Sequence, residues 1–135
     1  MKFLGAIRLK PVRFFIPLLF TLITLTGCRS NKEANVRLIV SSVGAATLVS
    51  DAANLARQPA PEDGSPESIS SLSISFRAFN PIETWRYGQQ FIIVTERHLQ
   101  HRVGVAIQPI DHPEPTNIGG SRYVWIAPGI YFYEN

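Results

Sequence analysis

The side chains of this 135-residue chain that could do chemistry near neutral pH are three histidines, one cysteine and ten carboxylates. His98 and His101 are three apart with Glu96 just before them, and His112 follows Asp111. On a helix, His98 and His101 could share a face and hold a metal, whereas across strands they would point apart. Their surroundings, Arg97-His98-Leu99-Gln100-His101-Arg102, read as a solvated turn between strands. No Cys/His cluster has zinc-ligand spacing, and one cysteine excludes an internal disulfide framework. No Gly-x-Ser-x-Gly elbow frames any serine, and Glu96 with His98, or Asp111 with His112, would meet acid–base geometry only by chance placement. The expectation is a protein that is not an enzyme and holds no metal or cofactor.

The cysteine stands in a more specific context. Lys2, Arg8, Lys10 and Arg13 precede an apolar stretch, residues 14–26, and no acidic residue occurs before Glu33. A basic segment followed by a short apolar one is the layout of an export signal. As a helix the stretch would reach about 20 Å against the roughly 30 Å of a bilayer's hydrocarbon core, and Pro17 weakens it further. The stretch ends in Leu25-Thr26-Gly27-Cys28, which resembles the lipobox of bacterial lipoprotein precursors. The resemblance implies cleavage between Gly27 and Cys28, then acylation of Cys28. It implies in turn a lipid-anchored protein on the periplasmic side of the cell envelope. Arg29 replaces the Asp that retains such proteins in the inner membrane of enteric-type bacteria, which points to the outer membrane. Burial of acyl chains contributes about 0.8 kcal/mol per CH₂, so two or three long chains would hold the protein on a bilayer almost permanently.

Removal of residues 1–27 changes the charge. The whole chain carries 13 Lys+Arg and 10 Asp+Glu. Four of the basic residues and none of the acidic ones lie in the signal, so the mature part carries a formal −1. Nucleic-acid binding, which needs clustered Lys and Arg, is therefore not expected.

The mature chain divides into Cys28 with a polar tether to residue 35, which could extend at most about 25 Å, and one domain over 36–135. Residues 36–43 are rich in β-branched side chains and read as a strand. Leu48, Ala52 and Leu55 have helical spacing within 45–57, which Pro59 and Pro61 end. Residues 58–70 read as a loop. Leu72, Ile74, Phe76 and Ala78 alternate with polar residues and read as a strand, as do 90–97 and 103–107. A turn-rich loop over 109–121 leads to two last strands, 122–126 and 130–133. The fold expected is mainly β: a small antiparallel sandwich or sheet of about five or six strands with one short helix.

All ten aromatic residues of the mature part follow residue 75. Trp85, Tyr87, Tyr123, Trp125, Tyr131 and Tyr133 have polar handles, and such residues are enriched at interfaces. Trp85, Arg86 and Tyr87, expected in an exposed loop after Pro81, together with Tyr131 and Tyr133, are the candidate partner-binding residues. Two functions fit: a structural module docking an envelope-spanning protein assembly to the membrane, or capture of a small ligand, glycan or exported polypeptide. The lipobox, the early apolar strand, the Pro-rich loop, the alternating strand at 72–79 and Val103-Gly104-Val105-Ala106 together resemble the small lipoproteins of type VI secretion systems. That resemblance implies a transthyretin-like β-sandwich gripping an inner-membrane component, although this chain is shorter than is usual there. Secretin pilotins and other assembly lipoproteins fit the docking function equally.

Overall fold

A computed structural model describes residues 31–112 and 114–135; Gly27, Cys28 and the expected export signal lie outside the described residues. Five strands, β1 (Glu83–Tyr87), β2 (Gln90–His98), β3 (His101–Ile107), β4 (Arg122–Ala127) and β5 (Ile130–Glu134), form one antiparallel sheet. Their order is β1-β2-β3-β5-β4. The mainly β expectation holds, and so do the sequence-read strands from residue 90 onward. The β2–β3 connection is the expected solvated turn. The second layer is helical, where the type VI resemblance would place a second sheet.

Three helices make that layer: α1 (Asn31–Val43), α2 (Ala45–Ala56) and α3 (Ile74–Arg77). The expected helix over 45–57 is α2, with Leu48, Ala52 and Leu55 buried as their spacing requires. The strand expected over 36–43 is instead part of α1, which also takes in residues 31–35, read as tether. Val36 and Val40 are buried, and Ile39 and Val43 partly so. Those four positions follow i, i+3, i+4, i+7, a continuous helical stripe, and burying it outweighs the weak strand preference of β-branched side chains. Gly44, at φ 94°, separates α1 from α2, and the two helix axes bend by 85° there. No single helix among the described residues is long and apolar enough to cross a membrane.

The strand expected at 72–79 is also corrected. Ile74 is 81% exposed, while Leu72, Phe76 and Phe79 are buried. The true period is again i, i+4, i+7, and the alternation was coincidental. Ser73 caps α3 by accepting from the Phe76 amide, and the Ser75 hydroxyl donates to Asp51 of α2. Together α1, α2 and the 72–79 segment bury Phe91, Ile93, Val105, Ile107, Ile130 and Phe132 from one face of the sheet.

The edges of the sheet are handled differently. Along β1, the 58–70 segment runs beside the strand, and the Glu67 amide donates to the Thr84 carbonyl at 2.7 Å. On β4, Arg37 of α1 donates to the Trp125 carbonyl at 3.0 Å. Pro128-Gly129 turns β4 into β5, with Gly129 at φ +75°, as a type II turn demands.

The central pair contains the tightest spot. The β2–β3 register shifts between Val94 and Glu96, and Gly104 lies against β2 so closely that a Cβ there would overlap the Ile93 carbonyl. Close backbone approach beside a bulge is where a strand needs glycine. Gly104→Ala should destabilise the domain by about 2 kcal/mol or more, because only backbone movement can relieve the overlap. Urea denaturation of the purified variant measures this, and an unchanged midpoint would refute it.

Candidate functional site

The second face of the sheet has no helix over it among the described residues. Strand alternation and register build it in rows. Trp85 lies opposite Ile92, Ile92 opposite Ala106, Ala106 opposite Tyr131, and Tyr131 opposite Trp125. A parallel row runs Glu83, Val94, Gly104, Tyr133, Tyr123. Small and aliphatic residues thus occupy the middle strands and aromatic residues the flanks. Ile92, Val94, Ala106 and Tyr133 are buried beneath Trp85, Ile118, Tyr123 and Tyr131. The Tyr123 and Tyr133 rings sit 5.6 Å apart in a tilted arrangement.

The 109–121 loop closes one side. Buried Gln90 accepts from the Thr116 amide at 2.6 Å, and the Tyr123 hydroxyl donates to the Thr116 carbonyl at 2.9 Å. Between this loop and the sheet opens a cleft of about 420 Å³, lined by Glu114, Pro115, Asn117, Tyr123, Trp125 and Tyr131 among others. Trp125 is 58% exposed there. Burial pushes the Tyr123 and Tyr87 hydroxyls above their usual range.

At the other end of the face, Glu83 is a charge hub. It accepts from the Trp85 indole N–H at 2.8 Å and from Arg97 at 2.6 Å, and Arg102 stands 3.7 Å away. The Arg102 guanidinium also lies over the Trp85 ring, 5.5 Å from its centroid. The Trp85 hydrogen bond first, then Arg97 and Arg102, hold the Glu83 carboxyl below the usual carboxylate range. These contacts fix the Trp85 ring against the sheet.

The five partner-binding candidates do not converge. Residues 85–87 lie in β1 and not in a loop, so alternation sends Trp85 and Tyr87 to the aromatic face and Arg86 to the helical one. Arg86 pairs with Glu67 at 2.5 Å, both side chains almost wholly buried. It also donates to the Gln58 carbonyl at 2.7 Å and lies over Phe91. Tyr133 is on the aromatic face but only 2% exposed, so it supports the surface from beneath. Trp85 and Tyr131 are half-buried and Tyr87 sits at the rim. Trp125 and Tyr123 complete the surface and were not among the five. The 122–126 alternation already put them on one side of a strand, but the pairing of Trp125 with Tyr131 needed the register.

His98 and His101 are a directly opposed pair across the β2–β3 turn, so the expectation that they point apart is corrected. His101 lies 3.3 Å from Glu134. Among the described residues no group of three or more His, Cys, Asp or Glu could hold a metal ion. No family model, curated protein or solved structure matches the chain.

Two outcomes follow from this geometry. A folded Glu83 carboxyl that holds its proton less tightly than the unfolded one stabilises fully above the ordinary 4.5. That contribution is lost as pH falls through the lowered folded value. The deficit of Glu83→Gln in urea denaturation should therefore be about 1 kcal/mol or less near neutrality, given the exposed Arg97 partner, and should vanish in acid. A deficit unaffected by pH would contradict it. Arg86→Met should cost about 3–5 kcal/mol by stranding buried Glu67, and adding Glu67→Leu should restore most of that. A double variant no better than the single would disprove the ion-pair account.

Proposed function

We propose that this chain is a lipoprotein, acylated at Cys28 and held on the periplasmic side of the outer membrane, whose aromatic sheet face docks a protein of the cell envelope. The observation that carries the docking reading is the row Trp85–Ile92–Ala106–Tyr131–Trp125, which crosses all five strands without helical cover. Aromatic residues with an apolar body and a polar tip are suited to a surface that is wet alone and buried in a complex. The lipobox Leu25-Thr26-Gly27-Cys28 supports the anchor. Since α1 already includes Asn31, the body would stay close to the bilayer, and its partner would have to come to it. A secretion machine is one such assembly.

The 420 Å³ cleft beside Trp125 and Tyr131 favours a second reading, capture of a small ligand, glycan or exported polypeptide. Aromatic rings with Asn117 and Glu114 nearby supply both stacking and hydrogen bonding to such a guest.

Cys28→Ser should leave the domain folded and move it from the membrane to the soluble fraction; continued membrane association would refute the anchor. A photo-crosslinking residue at Trp125 in the native envelope should yield a discrete protein adduct absent with the same probe at Leu38, an exposed α1 position. Trp125→Ala should weaken recovery of that partner by about 30-fold, the effect of losing one hot-spot side chain, without loss of stability. An envelope giving no adduct while a small ligand co-purifies would replace docking by capture.

A further inference from the structure

The β2–β3 turn carries a combination the domain itself does not use. Leu99 is 90% exposed and sits at φ +54°. That backbone region penalises a side-chain-bearing residue and suits glycine or asparagine. A leucine there adds strain and exposes apolar surface, and the hydrogen bond from Arg97 Nε to the Leu99 carbonyl at 3.3 Å engages the backbone and not the side chain. Strain held at an exposed position points to a use outside the domain.

The placement suggests what that use is. Lys32, in the first turn of α1, pairs with Glu96 at 2.6 Å, so the chain enters the domain beside the end of β2. Cys28 is four residues before Lys32, a span of at most about 14 Å. Leu99 is three residues beyond Glu96, about 10 Å at the rise of a strand. A tether of that span is long enough for Cys28 to reach the level of the turn. Around the turn, Lys32, Arg97, Arg102 and Arg122 with His98 and His101 face Glu83, Glu96 and Glu134. In a mature chain whose formal charge is −1, this end carries four cations paired with three carboxylates, a net +1 that leaves a slight bias toward anionic headgroups.

We propose that the tip of the β2–β3 hairpin, with Leu99 at its apex, enters the headgroup layer of the bilayer that holds acylated Cys28. The inference rests on the lipoprotein reading above. One leucine adds little to acyl chains, so its role is orientation. With the hairpin pointing into the bilayer, β2 and β3 stand along the membrane normal. The Trp85–Trp125 face then looks sideways, open to a partner in or beside the same membrane.

The test uses the full lipidated protein with Leu99→Cys. An acylated Cys28 leaves the introduced thiol as the sole free one, to be labelled with an environment-sensitive fluorophore. The labelled protein is bound to vesicles of phosphatidylethanolamine and phosphatidylglycerol. Nitroxide-bearing lipid should quench this probe at least about twofold more than the same probe at Gln89→Cys, in the β1–β2 turn at the opposite end, since an interfacial group sits about 5–10 Å deep. Equal quenching at both positions on vesicle-bound protein would overturn the hairpin contact and leave the anchor standing. Two reactive thiols per chain, with no vesicle binding, would overturn both.

Discussion

Ile92, Val94 and Ala106 are buried on a sheet face that no described helix covers, and the architecture depends on how that is achieved. The two central strands are apolar on both sides, but helices are available for only one. α1, α2 and the 72–79 segment take the side of Phe91, Ile93 and Val105. On the other side, Trp85, Tyr123 and Tyr131 from neighbouring strands lie across the small central residues. Only rings wide enough to span adjacent strands can shield Ala106 and Gly104 in this way, and only side chains with a polar tip can do so while remaining partly wet. The candidate site is therefore also the means by which the sheet is completed.

The same economy of cover explains the edges and the ion pairs. β1 is guarded by the 58–70 segment, and that brings Glu67 under the sheet, where Arg86 neutralises it. Trp85 is held by Glu83, which is itself held by Arg97. Trp85, Tyr123 and Tyr131 pack on the buried cluster, so changes at these three will be felt in folding stability as well as in binding, whereas Trp125 stands largely clear of it.

Much of the sheet was legible in advance. β2 through β5 combine apolar alternation with clear turn residues, and α2 has three buried positions at helical spacing between a glycine and two prolines. The failures at 36–43 and 72–79 share one cause. Val36, Ile39, Val40 and Val43, or Leu72, Phe76 and Phe79, satisfy a helical period as well as a strand-like composition or alternation. Which period is used depends on where the apolar partner lies, and that partner is distant in sequence. The site was partly legible for the same reason. Aromatic type marked Trp85, Tyr87 and Tyr131, but adjacency in the chain wrongly grouped Arg86 with them.

The sequence by itself determined that its one cysteine follows Leu25-Thr26-Gly27, that residues 28–135 carry a formal charge of −1, and that the second half of the chain is sheet. These are properties of local order and composition, which need no partner in space. Only the tertiary structure decided which face of that sheet is covered, that Tyr133 lies beneath the surface while Trp125 lies on it, and that Lys32 pairs with Glu96 of β2. Those facts follow from register and packing between distant segments. A single slip of register would have exchanged the two faces and put the aromatic side chains in the core.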